Sequence, residues 1–184
     1  MTTDSATKQL APDASEELDH GRGARIGLAF VRIAVGLLWI QSAGWKTPPE
    51  FGRDSETGLF KFTTYAVDYP VFPPFSWLIE NVVLPNFALF GYLTLLVEAS
   101  VGAFLLVGLA TRFWALVGIG QTVAIALSVL NGPNEFPWTY YLLFAAHVVI
   151  LVTAPGRTAG LDGVLRPRWR QSSGRPARLL MRLS

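Results

Sequence analysis

The chain has 184 residues, of which 51% are hydrophobic and 15% charged, with a formal net charge of +2. That balance is too apolar for an ordinary soluble domain and excludes a disordered chain. No cysteine is present, which excludes disulfides, thiol redox chemistry, iron–sulfur clusters and thiolate metal sites.

Residues 1–25 carry Asp4, Asp13, Glu16, Glu17 and Asp19 among Gly, Pro and Ser. They read as a flexible cytoplasmic tail rather than a signal peptide. Four apolar runs follow, at Ile26–Trp45, Asn86–Leu109, Phe113–Leu130 and Trp138–Ala154. A spanning helix needs roughly 20 residues at ~1.5 Å per residue, so each run is long enough. None shows the polar stripe of a surface helix. The expected fold is all-α: a transmembrane four-helix bundle over residues 26–166, flanked by the tail 1–25 and a basic cytoplasmic tail 167–184.

The connection after the first run is long and aromatic. Phe60–Val67 and Trp77–Leu84 predict short interfacial helices there, separated by Pro70, Pro73 and Pro74. Ala110–Arg112 is a very short connection, which makes the second and third runs an antiparallel hairpin. Phe136–Tyr141 marks the outer interface at the start of the fourth run. Arg157, Arg166, Arg168, Arg170, Arg175, Arg178 and Arg182 follow the last run against the one acid Asp162. By the positive-inside rule both termini belong in the cytoplasm of a multi-pass cell-membrane protein. With only Trp169 interleaved, this arginine run suits anionic membrane lipid better than nucleic acid.

Counted from the cytoplasmic boundaries at ~1.5 Å per residue, Arg32 lies about 9 Å deep, Glu98 about 17 Å, Gln121 about 12 Å and His147 about 10 Å. One polar residue from each run therefore falls in one band. A charge in the middle of a span is costly, by roughly 2.5–3.5 kcal/mol on insertion scales, so Glu98 is expected to face the interior. There it either pairs with Arg32 as a carboxylate or stays protonated and bonds Gln121 or His147. A buried network that fixes helix register would account for these residues. So would a quinone site, menaquinone or ubiquinone, with Glu98 and His147 carrying protons and Arg32 or Gln121 meeting a carbonyl. Trp39 reads first as core packing and stands as a further candidate for cofactor contact. Lys46 reads as an interfacial snorkelling charge. With His20 and His147 the only histidines, no haem or metal site is expected.

The segments RIAVGLLWIQSAGWK (Arg32–Lys46), VEASVGAFLLVGLATR (Val97–Arg112) and GRTAGLD (Gly156–Asp162) together resemble the DoxX/DoxD family of small four-helix membrane proteins. The likeness runs from about Ile26 to Arg166. By resemblance, Arg32, Lys46, Glu98, Gly102 and Arg112 hold the family's characteristic positions, as do Gly156, Arg157, Gly160, Leu161 and Asp162 at the ending. The resemblance implies a membrane subunit of a quinone-linked oxidoreductase, in the DoxD branch thiosulfate:quinone oxidoreductase, working with a second subunit. Self-association is a further option. The competing readings are a non-enzymatic anchor or organiser of redox or envelope proteins and, more weakly, a small-solute transporter.

Overall fold

The computed structural model describes residues 14–172 and 174–184. In chain order the helices are α1 Ala14–Gly44, α2 Gly58–Asp68, α3 Pro73–Leu78, α4 Phe87–Val107, α5 Thr111–Val129, α6 Pro137–Thr153, α7 Gly156–Ala159, α8 Leu161–Gln171 and α9 Arg175–Leu183. A π-helical turn, Ile79–Val83, continues α3. No strand occurs among the described residues, and the fold is all-α. Of the expected N-terminal tail, residues 1–13 lie outside the described ones, while residues 14–25 are helical. The boundary expected after Arg166 falls inside α8, and most of the remaining residues form α9.

Among the described residues three helices are long and apolar enough to cross a membrane: Gly21–Gly44, Phe87–Val107 and Thr111–Val129. The protein is therefore a multi-pass membrane protein. Helix α6 is apolar and has 17 residues. Leu37, Leu96, Leu116 and Val152 are each more than half exposed on the outer faces, as expected where lipid is the solvent.

Helix α1 lies against α4, α4 against α5, α5 against α6, and α6 back against α1. Val35, Trp39, Val101, Leu105, Ala115 and Ile150 form the buried core between them. Apolar side chains gain little by leaving lipid for protein, so close backbone contact does more of the work. At the α1–α4 crossing a Cβ on Gly36 would lie 3.1 Å from the Gly102 carbonyl oxygen, and one on Gly102 would lie 3.0 Å from that of Gly36. These two glycines set the register of the antiparallel pair.

The bundle has a loop end, bearing α2, α3 and the π turn, and a tail end, bearing the Gly108–Ala110 turn and α7–α9. At the loop end α2 covers the expected Phe60–Val67 and one or two residues more at each side. The second loop helix begins earlier than the expected Trp77, at Pro73. Proline lacks only an N–H that a first helical turn leaves unpaired, so Pro73 and Pro74 start this helix instead of breaking the chain.

At the tail end α4 stops at Gly108 in the left-handed region (φ 67°, ψ 46°), and Ala110 (φ 49°) turns the chain into α5. Asp162 fastens this turn. Its Oδ1 accepts from the Ala110 N–H at 2.8 Å, and its Oδ2 accepts from the Thr111 N–H at 3.0 Å and the Thr111 hydroxyl at 2.6 Å. Its own N–H donates to the Gly108 carbonyl at 2.9 Å. The carboxylate thereby satisfies donors that a helix N-terminus leaves open and sits at the favourable end of the α5 dipole. The GRTAGLD segment is thus the latch for the α4–α5 turn.

Candidate functional site

The chain just past the end of α1 and the middle of α4 bring two charges together. Lys46 Nζ donates to Glu98 Oε2 at 2.5 Å, with the side chains 3% and 0% exposed. The ammonium also donates to the Ser42 carbonyl at 2.7 Å and the Ser42 hydroxyl at 3.1 Å, and lies 4.2 Å from the centre of the Trp45 ring. Gln121 Nε2 on α5 donates to the other carboxylate oxygen, Glu98 Oε1, at 3.3 Å. Removing two charges from water costs several kcal/mol per ion, so such a pair persists only with close geometry and further hydrogen bonds. Both conditions hold here.

The pair opens onto a cavity of about 400 Å³ on the loop side of the bundle. Lys46, Glu98 and Gln121 stand among its lining, whose apolar walls include Phe62, Phe75 and Ile125. Helices α2 and α3 contribute to those walls and cover the space toward the loop end. An apolar hollow with a few convergent polar groups is the usual form of a small-molecule site. Tyr140 also lines it, its hydroxyl donating to the Glu135 carboxylate through a short hydrogen bond.

The polar band expected from the sequence is divided in the structure. Glu98 and Gln121 meet in the cavity, but Arg32 does not pair with Glu98. With Gly36 against Gly102, Arg32 is four residues toward the tail end and Glu98 four toward the loop end, an axial offset of about 12 Å. Side chains lean toward the N-terminus of their own helix, and these helices are antiparallel, so the two point apart. Arg32 instead donates from Nη2 to the Ala159 carbonyl at 2.8 Å, packed beside Gly108 and Gly160.

His147 is likewise bound elsewhere. Trp39 Nε1–H donates to His147 Nε2 at 2.8 Å, and His147 Nδ1 lies 2.8 Å from the Leu143 carbonyl. The acceptor role of Nε2 places the ring proton on Nδ1, which gives it to Leu143. Both nitrogens are engaged, and neither Trp39 nor His147 lines the cavity. The imidazole fits because residue 118 is glycine; a Cβ there would overlap its ring. Trp39→Phe is expected to cost about 1–3 kcal/mol by leaving Nε2 buried without a donor. Thermal or denaturant unfolding in detergent measures this, and a change below about 0.5 kcal/mol would mean that the bond contributes nothing.

Lys46 is the cavity residue that the sequence reading misplaced. Its position just past an apolar run suggests a surface charge, yet its residue exposure is 5%. The available signal was Glu98 itself, since a buried carboxylate calls for a cation within reach.

No curated protein and no solved structure matches the chain. A family model described as "TQO small subunit DoxD" matches residues 28–182, a stretch that holds the Lys46–Glu98 pair, the Asp162 latch and α8 with nearly all of α9. The chain belongs to the DoxD family.

Proposed function

We propose that this protein is the membrane subunit of a quinone-linked oxidoreductase, with the quinone ring in the cavity beside Lys46, Glu98 and Gln121. The observation that carries this reading is a buried ammonium–carboxylate pair set into a mostly apolar hollow of about 400 Å³. A bound quinone, menaquinone or ubiquinone, would supply two-electron chemistry that takes up protons at its oxygens. The residues present fit such a group. Gln121 gives one N–H to Glu98, and its second N–H, which has no acceptor among the described residues, would donate to a carbonyl. Lys46 and Glu98 share a proton-bearing contact at Nζ and Oε2, so either can hold the proton that the pair passes to or takes from the cavity. Helices α2 and α3 keep water from the polar end. Trp39, His147 and Arg32 are assigned positioning roles, remote from the ligand. Electrons arrive from a small reductant, with thiosulfate the candidate from the family, or from a larger partner subunit as the "small subunit" description suggests.

In this reading α6 is the fourth span. Its 17 residues extend about 26 Å, close to the ~30 Å hydrocarbon core. Arg112 and the seven arginines after residue 156 gather at the tail end, which supports a cytoplasmic side for that end and for both termini.

The organiser reading draws on a different observation. All three Lys46 protons have acceptors within the chain, as a purely architectural pair would also show. Mass spectrometry of lipids and proteins co-purified in mild detergent separates the two. The quinone reading expects an isoprenoid quinone with the wild-type protein and its loss from Thr94→Trp, which fills the cavity. Phospholipid alone in both samples, with a constant protein partner, would overturn it in favour of the organiser.

A further inference from the structure

A second hollow, of about 170 Å³, lies between α5 and α6 toward the loop end. Val71, Val123, Ala126, Leu127, Tyr140 and Phe144 are among its walls, and it presents only carbon to the space. The Thr122 hydroxyl nearby is occupied, donating to the Gly118 carbonyl at 2.7 Å. From Thr122 to Leu130 the groove follows α5 for about 12 Å. Val123, Tyr141 and Phe144 on its rim are 42%, 64% and 42% exposed, so in a membrane it opens to acyl chains.

Two features distinguish this groove from the rest of the lipid-facing surface. It is concave, and it shares the wall residue Tyr140 with the larger cavity. The Tyr140 hydroxyl is fixed to Glu135, so the ring is held at the edge that a polar-ended space and an apolar one have in common. A ligand with a polar ring and a long hydrocarbon chain matches this sequence of spaces. Its ring would reach Lys46, Glu98 and Gln121, while its chain must leave the cavity through apolar surface to reach the bilayer. A phospholipid chain fits less well, because its headgroup stays at the membrane surface and uses nothing in the cavity.

We infer that the α5–α6 groove is the binding site for the isoprenoid chain of the quinone, with Tyr140 at the point where the chain leaves the ring cavity. This assignment rests on the quinone reading above. The groove sets tail selectivity, and the cavity sets ring binding.

The test uses full-length protein in detergent and measures quinone affinity by tryptophan quenching. The probes are a tailless dimethyl-naphthoquinone or benzoquinone analogue and the same ring carrying several isoprene units. Ala126→Trp fills the groove and is expected to weaken tailed-quinone binding about tenfold or more while changing tailless binding less than about twofold. Ala126→Leu should give a smaller loss in the same direction. Unchanged tailed binding in both variants would overturn the groove assignment, leaving the groove to bulk lipid, while tailless binding still supports the ring site. Equal loss of both probes in both variants would also overturn it, since the effect would then not be on the chain. If the wild-type protein binds neither probe, the groove assignment and the quinone reading fall together.

Discussion

Lys46→Met is expected to lower the unfolding free energy by about 3–5 kcal/mol, and Glu98→Met by a similar amount, because each leaves the other charge buried without a partner. Side-chain exposures of 3% and 0% mean that solvent does not screen this loss. The double variant Lys46→Met/Glu98→Met should behave differently. Replacing both charges with apolar groups of similar length removes the desolvation cost along with the attraction, so its stability is expected within about 1 kcal/mol of wild type or above it. Denaturant unfolding in detergent gives all four corners of this cycle. Single losses below about 1 kcal/mol, the range of surface ion pairs, would show that the pair is solvated. The folded double variant also divides the functional readings. An oxidoreductase loses quinone reduction with the pair, whereas an organiser keeps its partners.

How much of this was legible in the sequence depends on which property is asked for. Apolar run length foretold the three long apolar helices α1, α4 and α5, because lipid demands internally satisfied backbone over a fixed thickness. It also foretold that Glu98 faces inward. Axial register was not legible. Depths counted from the ends of hydropathy runs assume that every run begins at the same plane, but the Gly36–Gly102 contact aligns α1 and α4 independently of those ends. An error of a few residues, together with the opposite lean of side chains on antiparallel helices, exchanged the partner of Glu98 from Arg32 to Lys46. The cavity and the groove escaped notice for a related reason. Both depend on where α2 and the 70–72 segment return onto α5, and no local pattern encodes that return. Asp162 was visible only as the one acid among the trailing arginines and as part of a family-like ending. Its partners Ala110 and Thr111 lie 52 and 51 residues earlier, too far for any spacing rule.

Asp162→Ala should be the most damaging single change at the tail end. The carboxylate accepts two backbone N–H groups and the Thr111 hydroxyl, and both Asp162 and Thr111 are fully buried. Buried donors without an acceptor cost about 1–3 kcal/mol each. Ala110 adds to this, since its left-handed conformation is unfavourable for a residue with a Cβ and persists because its N–H is held. Arg32 would lose the carboxylate whose field reaches it, while its Nε and Nη1 already lack partners among the described residues. A loss of at least about 3 kcal/mol is therefore expected on unfolding in detergent. Asp162→Asn should fall between this and wild type, since the amide oxygen keeps one acceptor while its NH2 group faces the remaining donors. A loss below about 1 kcal/mol for Asp162→Ala would mean that the α4–α5 turn holds itself without the latch. The latch lies at the opposite end of the bundle from the cavity. Folded Asp162→Asn protein should thus bind a tailless quinone as wild type does, whereas Lys46→Met should not, which separates the residues that hold the bundle from those that serve its ligand.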